Sequence, residues 1–447
     1  MLRSRLQRTD QRTAKMLVNI LASFLIKGWS VVVQLLLVPL TLACLNPYEY
    51  GIWMTLSTVL IWIDSFDVGL GNGLRNKLAE FVARDEWDKA RQAVSTTFFT
   101  LVLIMVPAIF ILLAAEHYAD LYGLLGVSPE LSPHLPLIVQ LSTGLVCLTF
   151  VFKFVGNVFL GLQLPAVNNA LIVGGQTLSL IAIAIARLCS DEVSFLLIAV
   201  LFTAAPLVVY LLVYPVTFLK LYPRLLPSVK CYSRTMLGGI FSLGFKFFFL
   251  QTAGIVLFAS SNLFISRILG PEHVSPYQIA YRYFYLSMGL FTIVIAPMWS
   301  AITDAYAKGE LAWIGSCLRK GLYAWAATTL VIVVMAAVAD WVYPIWTLGK
   351  VDISPSMTVL MAVYMSLIMF SLLYAHILYG IGCILLQTLV TVVEAVVFVP
   401  LAIGGLKGMG PEGIVAALII VNLICAVTNY LQVNKLLKGR AKGIWTK

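Results

Sequence analysis

Gln92–Ala115 reads QAVSTTFFTLVLIMVPAIFILLAA, an uncharged stretch. At about 1.5 Å per helical residue it is long enough to cross the roughly 30 Å hydrocarbon layer of a bilayer. The same ruler finds eleven more stretches, at 16–44, 48–71, 135–161, 166–187, 194–219, 237–266, 276–301, 321–347, 356–379, 381–404 and 413–434. Only Gly380 and its neighbours separate the ninth and tenth of these. The whole chain of 447 residues is 61% hydrophobic and 11% charged, against roughly 45–50% and about 25% in an ordinary soluble domain. Its mean hydropathy is +0.95. Such a chain could not cover itself with polar surface in water. A soluble enzyme, a secreted disulfide scaffold and a disordered chain are excluded, and the expectation is an all-α integral membrane protein with about 12 transmembrane helices.

The cations set an orientation. One set of segments holds Arg3, Arg5, Arg8, Arg12 and Lys15; Arg75, Lys77, Arg84, Lys89 and Arg91; Lys220, Arg224, Lys230 and Arg234; Lys308, Arg319 and Lys320; and Lys435, Lys438, Arg440, Lys442 and Lys447. The opposite set has only Arg187, Arg267, Lys350 and Lys407. Positive charge accumulates on the cytoplasmic side, so both termini are expected there, which requires an even number of spans. The net charge of +10 is therefore a membrane pattern and implies no nucleic-acid partner. The seven cysteines stand singly, with no CxxC spacing, and suggest apolar filler rather than a metal or redox site. The first apolar run is too long for a signal-peptide core and is retained as a span.

A shift of 224 residues overlays the segmentation. Leu45-Asn46-Pro47 meets Leu269-Gly270-Pro271, and the segment 80–86 meets 304–310. Six spans per half make the copies parallel, an architecture of transporters. The expected organisation is a basic N-tail (1–15), an N-lobe of six helices (16–219), a linker (220–236), a C-lobe of six helices (237–434) and a basic C-tail (435–447), with a central cavity between the lobes. Enzyme signatures fail. Gly69-Leu-Gly-Asn-Gly73 lacks the GK[ST] ending and the strand context of a phosphate loop. HExxH and GxSxG are absent from the sequence.

The string Asp67-Val-Gly-Leu-Gly-Asn-Gly-Leu-Arg-Asn-Lys-Leu-Ala-Glu80 closes span two and opens an amphipathic helix. Val38-Pro39-Leu40 and Tyr50-Gly51-Ile52-Trp53 precede it. Together these resemble bacterial O-antigen and capsule polysaccharide flippases of the multidrug/oligosaccharidyl-lipid/polysaccharide (MOP) exporter superfamily. Asn46 departs from the family's frequent Gly, and the C-terminal half has no equally sharp string. The resemblance implies a two-lobed carrier in the bacterial inner membrane that alternates access. Its cargo would be an undecaprenyl-diphosphate-linked oligosaccharide moved from the cytoplasmic to the outer leaflet, driven by an H+ or Na+ gradient. Membrane lipids surround such a carrier, and the pathway's polymerase and chain-length proteins are candidate partners. No other cofactor and no hydrolytic activity are implied.

Charges inside spans are costly and tend to face a cavity or a partner. Lys27, Lys153, Lys246 and Arg282 are candidates to hold the cargo's diphosphate, although Lys153 and Arg282 could instead snorkel to headgroups. Asp64 and Asp67 share one helix face and are candidates for ion coupling, or for a cap or a salt bridge. Glu394 falls at the middle of span eleven, where a carboxylate either couples to an ion or pairs with a cation. His376 is either a helix-packing donor or a proton site. Asp304 reads as structural. Trp53, Trp62, Tyr343 and Trp346 read as interfacial anchors, and Pro39, Pro107 and Pro297 as kinks. The competing function is a cation-coupled multidrug antiporter of the same superfamily, whose cargo would call for acids rather than deep cations. A polymerase or ligase would need a long catalytic loop, and none is present in the sequence.

Overall fold

In hydrocarbon every backbone N–H and C=O needs an internal partner, and within one short segment only a helix supplies it. The computed structural model describes residues 25–65, 70–238, 260–383 and 385–446, and among these residues it is helical with no strand. The helices are α1 (Leu25–Cys44), α2 (Pro47–Ser65), α3 (Leu70–Ala83), α4 (Trp87–Tyr118), α5 (Leu121–Leu125), α6 (Leu135–Gly161), α7 (Pro165–Cys189) and α8 (Phe195–Pro215). Then follow α9 (260–269), α10 (Val274–Ala307), α11 (Leu311–Trp346), α12 (Pro355–Ile381), α13 (Leu385–Met409) and α14 (Glu412–Leu437). Among the described residues nine helices are long and apolar enough to cross a membrane. Two more expected spans are the helices α2 and α10. Most of the expected span 237–266, including Lys246, lies outside the described residues, as do the N-tail and Asp67.

The chain forms two compact units, and their boundaries interleave. The first comprises 1–45, 59–122 and 128–251, and the second comprises 46–58, 123–127 and 252–447. In the first unit α6 packs on α8, α4 and α3 around a core that includes Leu74, Leu78, Phe154 and Phe218. The chain after α8 tightens into a π turn at Val216–Leu221 and two short 3-10 turns. That stretch is fastened to α4. The Ser228 and Ser233 amides donate to Ser95 Oγ and Thr96 Oγ1 (3.1 Å each), and Arg91 Nε donates to Leu226 O (3.0 Å). Lys77 of α3 and Arg84, just beyond its end, each lie 3.1 Å from the Glu80 carboxylate. The hydrogen bond from Lys77 holds that carboxyl below its usual range.

In the second unit α14 packs on α13 and α12, and α12 on α10 and α11. The break between α12 and α13 falls at Gly382 rather than Gly380, which is buried inside α12. Gly382 adopts φ 87°, and the amides of Gly382 and Cys383 both return to Leu378 O. Glycine permits that left-handed helix terminus without a Cβ clash. Trp53 and Tyr343 are buried, so they are packing residues and not the interfacial anchors expected.

Two close approaches involve positions that the 224-residue shift pairs. Ser275 Oγ donates to Pro47 O at 2.6 Å. A Cβ on Gly51 would sit 1.8 Å from Pro271 O. The 224-residue shift that relates Pro47 to Pro271 also relates Gly51 to Ser275, so it exchanges the two contacts. A third approach joins α13 to α14, where a Cβ on Gly413 would lie 2.0 Å from Gly405 O. Small residues let membrane helices approach to backbone contact. Gly413→Leu is expected to lower the detergent-solubilised protein's melting temperature, with overpacking costing about 1–3 kcal/mol or more. Gly408→Leu, at a position with open space around its Cβ, leaves it near wild type. Equal melting curves for the two variants would refute the close-packed seam.

Candidate functional site

Gln176 and Thr177 lie eleven and twelve residues beyond Pro165 in α7, close to that helix's midpoint and about 16–20 Å from either end. Hydrogen bonds bring α1 to this level. Trp29 Nε1 donates to Thr177 Oγ1, Ser30 Oγ to Gln176 Oε1, and Gln34 Nε2 to Ser30 Oγ, all at 3.1 Å. Thr177 Oγ1 donates in turn to Val173 O at 2.8 Å. The first unit thus holds an uncharged polar seam at mid-membrane depth.

Lys27 stands one turn before this seam. It is exposed, and a Cβ on the adjoining Gly28 would meet open space. No hydrogen bond or ion pair joins Lys27 to another described residue. At 100° per residue, Lys27 and Gln34 point within about 20° of one another, while Val32 and Leu36 point about 140–180° away. Gln34, Val32 and Leu36 are exposed too, so the open surface of α1 has one side that carries Lys27 and Gln34, with Val31 exposed beside them, and an apolar side with Trp29, Val32 and Leu36. Hydrocarbon suits only the apolar one.

The other expected charges are placed differently. Lys153 is half-buried on α6. Arg282, half-buried on α10, directs Nη2 to Met54 Sδ at 3.2 Å, inside the second unit. Asn262 of α9 and Gln278 of α10 complete that corner. Asn262 Nδ2 donates to Met54 O at 3.1 Å, and Gln278 Nε2 to Asn262 Oδ1 at 2.7 Å. Glu394 is buried on α13 and accepts the Cys425 backbone N–H at 3.2 Å. Among the described residues no cation forms an ion pair with it. Beside Cys425 on α14, Asn429 Nδ2 donates to Ser371 Oγ at 3.4 Å, while its buried Oδ1 has no partner among the described residues. The buried Tyr364 hydroxyl, also with no hydrogen-bond partner among the described residues, lies within electrostatic reach of Glu394. His376 Nδ1 lies 2.9 Å from Leu372 O of its own helix, a packing contact. The Asp64 and Asp304 side chains lie outside the described set.

Several polar features escape a search for charged residues inside spans. The Ser30, Gln34, Gln176 and Thr177 seam is neutral. Glu116, near the end of α4, accepts from Thr143 Oγ1 at 2.6 Å. Tyr277, Tyr281 and Tyr285 stack along α10 with centroids 6.3 and 5.5 Å apart. The i, i+4, i+8 spacing of that ladder was available as a signal in the sequence. Among the described residues no group of three His, Cys, Asp or Glu converges as a metal site.

Residues 16–302 match the family described as polysaccharide biosynthesis protein. A putative O-antigen transporter of Salmonella typhi is 25% identical over 352 residues, covering 75% of this chain and 76% of that protein. The fold resembles an inward-facing MATE family multidrug resistance transporter of the MOP superfamily, with TM-score 0.76 and 16% identity over 92% of this chain and 95% of the other. An outward-facing MATE family transporter gives 0.63 and 16% over 94% and 96%. A MOP superfamily transporter from Pyrococcus furiosus, described as having a binding pocket of reverse polarity, gives 0.54 and 14% over 91% and 99%. These likenesses establish the fold.

The two-sided surface of α1 is open to a direct check. With the seven native cysteines replaced, Lys27→Cys and Gln34→Cys are expected to react with a charged, membrane-impermeant thiol reagent. Val32→Cys and Leu36→Cys should react about tenfold more slowly, because a thiolate forms in water and not in hydrocarbon. Equal rates at all four positions would contradict an aqueous side.

Proposed function

Since the chain belongs to the polysaccharide biosynthesis protein family, we propose that it is an inner-membrane transporter of an undecaprenyl-diphosphate-linked oligosaccharide. It moves this cargo from the cytoplasmic to the outer leaflet by alternating access, with both termini in the cytoplasm. The observation that carries the reading is Lys27, an exposed ammonium beside a mid-membrane polar seam, with no ion pair to another described residue. A diphosphate crossing apolar space needs such a compensating charge, and hydrogen bonds to charged groups are worth about 1.5–3 kcal/mol. The name of the Salmonella typhi relative agrees with this cargo class.

Glu394 supplies the coupling group. A carboxylate buried without a cation is costly when ionised. Binding H+ or Na+ removes that cost, and releasing the ion restores it. Its occupancy can therefore bias the packing of α13 against α14, the helix whose amide it accepts. A multidrug antiporter for organic cations is the competing reading. It would call for an exposed acid where this chain presents Lys27.

Reconstituted vesicles test both roles. Lys27→Ala is expected to slow translocation of the lipid-linked oligosaccharide about ten- to hundredfold, the loss of one charge-assisted contact, with Lys27→Arg recovering part of it. Transport by Lys27→Ala at the wild-type rate would remove this residue from the mechanism. Glu394→Gln, which keeps the shape and cannot ionise, is expected to make the rate insensitive to an imposed ion gradient. A gradient response equal to wild type in that variant would rule out Glu394 as the coupling group.

A further inference from the structure

The α1–α7 seam has more hydrogen-bonding capacity than its internal contacts use. Gln34 and Gln176 each carry an amide with two donors and an oxygen acceptor. Trp29, tied to Thr177 through Nε1, lies about 160° from Lys27 around α1, beside Leu36 on the apolar side. The remaining contacts of the seam engage one donor of Gln34, given to Ser30 of its own helix, and the oxygen of Gln176, which accepts from Ser30. These neutral groups are fixed to one another at mid-membrane depth, within one or two turns of the Lys27 ammonium. Lipid tails offer such groups nothing, and an organic cation would be repelled by Lys27.

The complementary ligand carries hydroxyl and acetamido groups next to an anion. A primary amide can donate to one oxygen and accept from a neighbouring O–H or N–H. We infer that Ser30, Gln34 and Gln176 form a carbohydrate subsite that reads the first sugars of the cargo while Lys27 holds the adjoining phosphate. This assignment rests on the transport reading above and adds to it the residues that recognise the uncharged part of the cargo.

The seam also explains why α1 and α7 are joined by side-chain hydrogen bonds when apolar packing would serve as well. Ser30 is bridged on both sides, accepting from Gln34 and donating to Gln176. It therefore holds the two amides in a fixed relation before any ligand arrives. Such prior ordering reduces the side-chain entropy lost on binding.

The test is direct binding to the purified full-length protein in detergent. The two probes are undecaprenyl diphosphate and the same lipid bearing a single N-acetylhexosamine. Wild type is expected to bind the sugar-bearing lipid about tenfold more tightly than the bare one, the effect of one or two neutral hydrogen bonds. Gln176→Leu should erase that preference. Ser30→Ala, a smaller change that does not threaten folding, should reduce it several-fold. Equal binding of the two lipids by wild type, or an undiminished preference in both variants, would overturn the subsite and leave the transport reading standing. Binding of neither lipid would overturn both.

Discussion

Hydrocarbon offers no hydrogen bonds, and every polar group in this chain has to be accommodated against that fact. It makes the described structure helical, because the helix satisfies its own backbone. It also makes a polar side chain at membrane depth costly unless it finds a partner inside the protein or faces water. The second unit supplies examples of the first course: Arg282 and Asn262 both donate to Met54, Gln278 donates to Asn262, and Glu394 accepts an amide of α14. On α1 the polar side of the helix takes the second course, and the functional proposal grows from that contrast.

The spans were legible in the sequence because hydropathy integrates over about 20 residues and tolerates local error. The expected stretches at 135–161 and 356–379 coincide with α6 and α12 within two residues. Helix termini were less legible. The α12 terminus depended on which of two glycines, two residues apart, takes a left-handed conformation, and composition does not distinguish them. Trp53 and Tyr343 were misread because aromatic residues near span ends are common both at interfaces and in cores. What decided their burial was the approach of distant segments, such as the Tyr283 ring 5.2 Å from that of Tyr343.

The candidate site was legible only in its charges. An ionised residue inside a span stands out because it is rare, so Lys27, Arg282 and Glu394 were visible at once. Ser30, Gln34, Gln176 and Thr177 were not, because neutral polar residues occur in many spans and each is unremarkable alone. Their meaning comes from pairing across about 145 positions of sequence, which no local pattern encodes. The linker behaves similarly. Its hydrogen bonds to Ser95 and Thr96 of α4 turn a segment that reads as a connection into part of the first unit.

The repeat makes the differences between the halves informative. Pro47 and Pro271 open corresponding corners, and Gly51 and Ser275 follow each by four residues, so the contacts between these corners are exchanged by the same shift. The two positions solve the close approach in different ways: glycine removes the Cβ, and serine turns contact into a hydrogen bond. Lys27 and Glu394 lie in different halves and are not counterparts under the 224-residue shift. If a charged cargo and a coupling ion used equivalent positions, each would compete for the other's compensating charge. On the proposed reading, an exposed ammonium in the first unit would serve the cargo and a buried carboxylate in the second the coupling ion, so that occupancy of one need not neutralise the other.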